Sequence, residues 1–215
     1  RQTPGTVTLV LRPNDAWSGF VAGQHVVVGV EIDGVVHDRC FSLAGSPHDP
    51  DGLLELTVKA NPAGRVSRHL VEHAEPGLVV RLSPARGDFV LPSAAERTAS
   101  GDHLVLLSGG SGITPVLSML RSLVDERHAG PVTFVHYALT TDDLCYRREV
   151  EDLVDALPGA RLLIGLTDAP GEGDLDGFFG LEHLAQITEA PERAQVHLCG
   201  PTPLMASVEA VFADL

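Results

Sequence analysis

A glycine-rich turn at residues 109–115 is the feature of this sequence whose residue types and spacing best suit chemistry. The segment reads Gly-Gly-Ser-Gly-Ile-Thr-Pro and follows the apolar run His103–Ser108, which is typical of a buried parallel strand. Glycines let the backbone turn sharply and leave room for phosphate oxygens to approach the amides of a dinucleotide-binding turn. Pro115 suits the first position of a helix. A tight turn that binds nothing is the alternative for this motif taken alone.

Two shorter motifs in the first half of the chain also carry groups that could bind phosphate and a flat ring. Arg39 offers paired donors for a pyrophosphate, and Phe41 lies two residues later, on the same face of a predicted strand. Ser42 adds a hydroxyl that can donate or accept. The segment Gly64–Ser67 opens a predicted helix, whose first amides could bind an anion. Taken singly, an ordinary strand is the better explanation of the first motif, and a plain helix cap also explains the second.

Two parts of the chain with different patterns must position these motifs. Up to about residue 91, short β-rich runs alternate with turn signals such as Asp33-Gly34, which predicts a small antiparallel barrel or sandwich. One helix, Val66–His73, interrupts it, and residues 92–101, which lack an apolar period, are predicted to be a linker. The strands of this part are predicted at 6–11, 25–32, 35–43, 53–60 and 78–83.

From Asp102 onward, strands and helices alternate, which predicts a parallel sheet with helices on both faces. Ligands of such sheets bind at the carboxyl ends of the strands, where the turn at 109–114 and Gly200-Pro201 both fall. The strands are predicted at 103–108, 132–137, 161–167 and 195–199, and the helices at 115–127, 146–157, 181–187 and 203–214. We therefore predict two domains, the first formed by residues 1–97 and the second by residues 98–215.

Composition and charge exclude several classes of function. A formal net charge of −14 argues against sequence-independent binding to nucleic acid or anionic lipid, and no apolar run is long enough for membrane insertion. The three cysteines are far apart and lack metal-ligand spacing, which favours a reduced, cytoplasmic setting and cannot supply the four thiolates of a [2Fe–2S] centre. No metal site is predicted; the pair His69 and His73 is better explained as ordinary helix positions.

The order of the motifs is more informative than any one of them. An Arg-x-aromatic-Ser strand, a Gly-x-Val-Ser helix start, the turn at 109–115 and a late Cys-Gly-Pro together resemble the ferredoxin–NADP reductase family. The segment Arg86–Pro92 looks like the last barrel strand of that family. The resemblance extends over nearly the whole chain, from about Thr6 to Leu215, and is nearest to bacterial reductases that carry or work with a plant-type [2Fe–2S] ferredoxin. It implies an antiparallel, Greek-key, flavin-binding β-barrel followed by an α/β nucleotide-binding domain.

The resemblance implies roles for individual residues. Arg39 would contact the FAD pyrophosphate, Phe41 would pack against the isoalloxazine, and Ser42 would hydrogen-bond flavin N5, the atom that accepts hydride. Val58 would lend backbone contacts to the ribityl or phosphate region. The main chain that would cradle the FAD phosphates belongs to Gly64, Val66 and Ser67. The residues that would hold the nicotinamide nucleotide are Gly110, Ser111, Gly112 and Thr114, with Cys199, Gly200 and Pro201 beside its ring.

Cofactor identity is only partly fixed by these residues. Phe41 stands where tyrosine is commoner in the family, so stacking is kept while a hydroxyl contact is lost. FMN is an alternative, but the segment 64–67 is less glycine-rich than in FMN-binding relatives, which favours FAD. Asp142 and Asp143, just after the second parallel strand, would repel a 2′-phosphate and so favour NADH. Arg147 and Arg148 would favour NADPH if they folded back onto that site, so both nucleotides stay open.

The function implied by the resemblance is hydride transfer from NADH or NADPH to bound FAD, followed by single-electron transfer to an acceptor. That acceptor would be an iron–sulfur protein or domain of the ferredoxin type, feeding an oxygenase or desaturase. Two alternatives remain. One is a flavin reductase that uses free flavin, against which the phosphate-binding segment Gly64–Ser67 weighs. The other is a non-catalytic electron-transfer or redox-sensing subunit.

Overall fold

The first half of the chain folds into two small antiparallel sheets and one helix; the computed structural model describes residues 1–213. The elements are β1 (Thr6–Leu11), β2 (His25–Ile32), β3 (Val35–Ser42), β4 (Leu54–Lys59), α1 (Arg65–His73) and β5 (Arg81–Leu82). The strands β1 and β4 pair with each other, and β2 lies between β3 and β5 in a second sheet. A tight turn at Asp33 and Gly34, both with positive φ, closes the hairpin of β2 and β3.

The core of this half follows from alternation along the strands. In β2, Val26, Val28 and Val30 are each at most 1% exposed, because every second side chain points inward. Helix α1 covers this core with Val66 and Leu70. The predicted strand at 78–83 is only two residues long, and the expected last strand at 86–92 was wrong: that segment makes a single bridge to β2, between His25 and Arg86.

The second half forms a five-stranded parallel sheet, as the alternation of strands and helices predicted. The strands are β6 (His103–Gly109), β7 (Val132–Ala138), β8 (Ala160–Leu166), β9 (Leu175–Asp176) and β10 (Ala194–Cys199). Their order in the sheet is β10-β6-β7-β8-β9, and every residue of the central strand β7 is buried, since helices cover both faces of the sheet. The helices are α2 (Ala94–Ser100), α3 (Ile113–Asp125), α4 (Arg147–Asp155), α5 (Leu181–Ile187) and α6 (Thr202–Ala213).

Two expectations for this half need correction. Residues 92–101 are not a structureless linker, because they contain α2, which begins with a capping box between Ser93 and Glu96 and ends at Gly101 in the left-handed conformation. Helix α3 begins two residues earlier than predicted, so Pro115 occupies its third position rather than its first. Asp214, the predicted end of the last helix, lies outside the described residues. No helix among residues 1–213 is long and apolar enough to cross a membrane.

Candidate active site

The turn at 109–115 lies where a phosphate-binding turn was expected, between a strand and a helix. Strand β6 ends at Gly109, residues 110–112 make one turn of 3₁₀-helix, and α3 follows directly. Gly110 has a φ of +52°, a conformation that a side chain disfavours. The Thr114 hydroxyl donates to the Ser111 carbonyl oxygen over 3.2 Å, which holds the turn closed.

The segment 199–201 lies directly against this turn, because β10 pairs with β6 and Cys199 is the register partner of Ser108. A Cβ placed on Gly112 would lie 2.2 Å from the Cys199 carbonyl oxygen, and one on Gly109 would lie 2.6 Å from Leu204. Gly112 is thus required by backbone packing, and Gly109 by packing against the Leu204 and Pro201 side chains, apart from any need of a ligand. Of the sequence-predicted residues, the structure brings these two groups together: Gly110, Ser111, Gly112 and Thr114 with Cys199, Gly200 and Pro201.

A cavity of about 370 Å³ opens beside the two loops at the carboxyl ends of the strands. Its wall includes Gly109, Gly110 and Pro201 together with Phe178 and Phe179. Phe178 is 74% exposed, so a large apolar side chain of the wall is accessible to solvent. The position and the mixture of apolar walls with a few charges fit a nucleotide site.

Three charged side chains reach this cavity from three different elements. Lys59 is at the end of β4 in the first half of the chain, Asp143 follows β7, and Asp168 follows β8. The Asp168 amide donates to the Leu139 carbonyl oxygen over 2.9 Å, which places the backbone of Asp168 beside the segment that follows β7. Sequence reasoning missed Lys59 and Asp168, since neither belongs to a local motif. One signal was available: Lys59 is the only lysine of the sequence, every other basic residue apart from histidine being arginine.

Other residues that were weighed for nucleotide preference lie away from the cavity. Asp142 is exposed and is absent from the cavity wall. Arg147 forms an ion pair with Glu151, 3.1 Å away on the same helix, and does not fold back over the site. Arg148 is exposed on the same helix. The charge close to the expected ribose position is therefore carried by Asp143 and Asp168, together with Lys59.

The motif at 39–42 lies on β3, the outer strand of its sheet. Arg39 is exposed and donates to the Asp38 carbonyl oxygen over 2.7 Å, and within residues 1–213 it makes no ion pair. Phe41 and Ser42 are half-buried, and Ser42 lies opposite His25 of β2. An arginine without a carboxylate partner beside a half-exposed ring and hydroxyl fits the binding of a phosphate and a flat heterocycle.

The segment Gly64–Ser67 begins α1 with open backbone amides. Gly64 is the N-cap and no side chain caps the helix. The Ser67 hydroxyl accepts from the Asn61 amide over 3.1 Å, so it closes the preceding loop rather than the helix end. A Cβ on Gly64 would lie 2.6 Å from Ser67 Oγ, which explains the glycine. Val66 and Val58 are each 1% exposed, so only their backbones can face a ligand. These features fit an anion such as a cofactor phosphate.

The thiol at the end of β10 is neutral at physiological pH. Burial raises the pKa of Cys199 above its ordinary value, so the side chain presents a polarizable thiol and not a thiolate nucleophile. His197, two residues earlier, is buried, and its Nε2–H donates to the Val90 carbonyl oxygen over 3.2 Å. The arrangement can position a ligand ring beside Cys199, but it supplies no covalent nucleophile there.

Family models match both halves of the chain. The oxidoreductase FAD-binding domain matches residues 5–91, and the oxidoreductase NAD-binding domain matches residues 106–210.

Curated proteins of similar sequence carry several names. An NADPH oxidoreductase of Mycobacterium tuberculosis is 35% identical and aligns with 100% of this chain and 54% of its own length. A flavohemoprotein of Bacillus anthracis is 33% identical, over 97% of this chain and 54% of that protein. A glycine betaine monooxygenase reductase subunit of Chromohalobacter salexigens is 35% identical, over 90% of this chain and 52% of that protein. The chain thus spans about half the length of these relatives.

Solved structures share the architecture. A flavohemoglobin of Malassezia yamatoensis with bound FAD and heme superposes with a TM-score of 0.86 at 25% identity, over 100% of this chain and 54% of that one. A ferredoxin NADP+ reductase of Neisseria gonorrhoeae with bound FAD and NADP superposes with a TM-score of 0.82 at 21% identity, over 99% of this chain and 86% of that one. The second likeness is one of fold alone.

Proposed function

The chain belongs to the ferredoxin–NADP reductase family of FAD- and NAD-binding oxidoreductases, and we propose on that basis that it transfers a hydride from a nicotinamide nucleotide to bound FAD. One observation carries the proposal: the cavity beside the two glycine-containing loops is lined by residues of both halves, Lys59 from β4 and the loops after β6 and β10. When bound, FAD accepts hydride and releases electrons singly. The residues of the chain supply position and electrostatics.

The nicotinamide nucleotide is proposed to lie along the cavity. Its phosphates would meet the amides at 110–112, where α3 begins and the helix dipole favours negative charge. The ammonium group of Lys59, which also lines the cavity, would attract the same phosphates. Cys199, Gly200 and Pro201 would hold the nicotinamide ring. The glycine contacts between the two loops support this assignment, because they fix the ring site relative to the phosphate site.

The flavin is proposed to lie along the first half of the chain. Arg39 would bind its pyrophosphate together with the backbone of Gly64, Val66 and Ser67, and Phe41 would pack on the isoalloxazine. Val58 would contribute only backbone contacts, in keeping with its buried side chain. Ser42 would donate a hydrogen bond to flavin N5, where the hydride arrives. Two features support this placement: within residues 1–213 the Arg39 guanidinium pairs with no carboxylate, and no side chain caps the first amides of α1.

NADH is the nucleotide that the cavity favours. Asp143 and Asp168 both line it, and a carboxylate accepts a hydrogen bond from a free ribose hydroxyl but repels a 2′-phosphate. Lys59 is the one cation in the wall, and its place on β4 suits the bridging phosphates. The relative from Mycobacterium tuberculosis is called an NADPH oxidoreductase, so a preference for NADPH is the outcome that would contradict this assignment.

The acceptor is proposed to be an iron–sulfur protein or domain of the ferredoxin type. The reductase subunit of glycine betaine monooxygenase supports a role in an oxygenase system, since it matches this chain at 35% identity. Relatives named flavohemoproteins favour a heme acceptor as the second candidate.

We propose that the boundary between the two domains lies between residues 97 and 98, within α2. We also propose that the protein is cytoplasmic, where its three free cysteines stay reduced.

The first experiment is the visible spectrum of the purified protein, followed by anaerobic addition of NADH or NADPH. Bound flavin that bleaches rapidly with NADH supports the proposal. Ser42→Ala should retain FAD and slow this bleaching, and an unchanged rate would remove Ser42 from hydride transfer. A protein that neither contains nor takes up FAD refutes the proposal. Turnover only with free flavin would identify a flavin reductase, and no oxidation of either nucleotide, even with an artificial acceptor, would identify a non-catalytic subunit.

A further inference from the structure

Helix α3 is hydrogen-bonded to the chain segment that follows Ser42. The Ser118 hydroxyl donates to the Gly45 carbonyl oxygen over 2.6 Å, in a fully buried position. One turn further along, Arg121 Nη1 donates to the Ala44 carbonyl oxygen over 2.8 Å. The same helix begins at the nucleotide turn. A single rigid element therefore joins the proposed phosphate site to the residues immediately after the proposed flavin N5 contact.

Arg121 is the centre of this connection. Its side chain is only 13% exposed and forms ion pairs with Glu55 of β4 at 2.7 Å and Glu149 of α4 at 2.5 Å. Burial alone would lower the pKa of Arg121, but the two carboxylates raise it, so the guanidinium stays charged. An arginine can satisfy two carboxylates and a carbonyl at once because its donors form a rigid planar fork. A lysine cannot reproduce this geometry.

Tyr146 completes the connection from the α4 side. The Arg121 guanidinium lies 5.7 Å from the centre of its ring, and the Tyr146 hydroxyl is 2.6 Å from the Thr8 hydroxyl and also bonds to Thr57. Tyr146 has a φ of +60°, a left-handed conformation that is rare for an aromatic residue and is kept only where surrounding contacts enforce it. Thr57 and Lys59 are alternate residues of β4, so this contact also fixes the strand face from which Lys59 reaches the cavity.

We propose that Arg121, together with Ser118 and Tyr146, is a positioning residue for hydride transfer: it holds the nucleotide turn and the Ser42 segment at a fixed separation. The inference rests on the proposed function. Arg121 is eight residues beyond Ile113, the first residue of α3, and each step along a helix rises about 1.5 Å, so the helix acts as a spacer of roughly 12 Å between the two sites. Hydride transfer requires the reacting atoms to be about 3–3.5 Å apart, and a misplacement of about 1 Å can cost about 100-fold in rate.

The test compares Arg121→Lys with Arg97→Lys. Arg97 is a more deeply buried arginine, 3% exposed, that pairs with Glu126 and the Pro92 carbonyl oxygen, and within residues 1–213 it makes no hydrogen bond to Ala44 or Gly45. Each variant is purified with its flavin, and four quantities are measured: FAD content, thermal midpoint, nucleotide dissociation constant and the limiting anaerobic rate of flavin reduction. The long-wavelength absorbance of a stacked nicotinamide–flavin pair is recorded as a direct report of ring placement.

Arg121→Lys is expected to retain FAD and bind NADH with little change, to weaken the stacking absorbance and to reduce the limiting rate by about 10- to 100-fold. Arg97→Lys should lower the thermal midpoint similarly and leave the rate unchanged. Equal rates in the two variants, or a loss in Arg121→Lys confined to FAD content, would overturn the inference and leave the proposed function intact. If Arg121→Lys does not fold, Ser118→Ala replaces it as the test variant. We expect it to reduce the limiting rate of flavin reduction by a smaller factor, and an unchanged rate would contradict the inference. Failure of the wild-type flavin to accept hydride overturns both proposals.

Discussion

Replacing Gly112 by alanine is the sharpest test of the contact between the two loops. The added methyl carbon would lie 2.2 Å from the Cys199 carbonyl oxygen, 2.5 Å from its carbonyl carbon and 2.7 Å from the Gly200 amide nitrogen. All three atoms are backbone, so no side chain can rotate away. The turn and the end of β10 must therefore move apart. An ordinary contact distance is about 3.5 Å, so a separation of about 1 Å is needed, and local relaxation supplies the remainder.

The magnitude has a stability part and a rate part. Overpacking of this kind costs roughly 1–3 kcal/mol of unfolding free energy. A displacement of about 1 Å between the nicotinamide ring site and the phosphate turn would slow hydride transfer by about 100-fold. We therefore expect Gly112→Ala to slow hydride transfer by more than its loss of unfolding free energy alone would explain. The measurements are the thermal midpoint and the limiting rate of anaerobic flavin reduction by NADH.

Gly101→Ala is the matched control. Gly101 also needs its glycine, with a φ of +62°, but a Cβ there would meet nothing within 4 Å, and it lies at the opposite end of β6. Strain of roughly 1–2 kcal/mol is expected from the left-handed conformation alone, with no effect on the rate. A Gly112→Ala variant that matches Gly101→Ala in both measurements would refute the argument that the two loops are fixed by their glycine contact.

Three further predictions follow from other parts of the structure. Arg39→Ala should lower the ratio of flavin to protein absorbance, and a variant that keeps its full FAD would contradict the pyrophosphate contact. Asp168→Ser should shift the ratio of kcat/KM toward NADPH by about tenfold, about 1.4 kcal/mol, by removing a carboxylate that repels the 2′-phosphate; an unchanged ratio would exclude Asp168 from nucleotide selection. Burial lowers the pKa of His136 from 6.5 to about 4, so between these two pH values the unfolded chain is protonated at this residue and the folded protein is not. The free energy of unfolding is therefore unaffected by His136 above pH 6.5 and falls by about 3 kcal/mol as the pH drops to 4. Urea unfolding between pH 7.5 and 4 should show this loss, and His136→Gln should flatten it.

Local patterns predicted the elements that have strong periodicity or a clear turn. The hairpin at Asp33-Gly34 and the buried parallel strands β6 and β7 were found within one residue, because alternation and continuous apolar runs are short-range signals. Helix α2 was missed because its one buried side chain is an arginine, Arg97, so it has no apolar stripe. The sequence nevertheless contains a capping signal, Ser93 followed by Glu96. That signal predicts the start of a helix even where the apolar residues show no helical periodicity.

The candidate site, whose residue roles stay predictions, could be located from sequence only where its residues form contiguous motifs. The turn at 109–115 and the Cys199 segment were located from their own sequence and the rule that ligands bind at strand ends. Lys59 and Asp168 were not, because they reach the cavity from strands that are distant in the chain and meet only after both halves have folded. The close packing behind Gly112 is likewise a property of two loops in contact, which no single segment encodes.

The position of Lys59 allows the cavity to be labelled selectively with amine-reactive reagents. The 215 residues contain a single ε-amino group, and it is in the wall of the proposed nucleotide site. Reagents that acylate or reductively methylate lysine therefore have one side-chain target in this sequence. Counting added groups by mass spectrometry, with and without nucleotide, reports directly how often the cavity is filled, without a chromophore, a coupled assay or an introduced label.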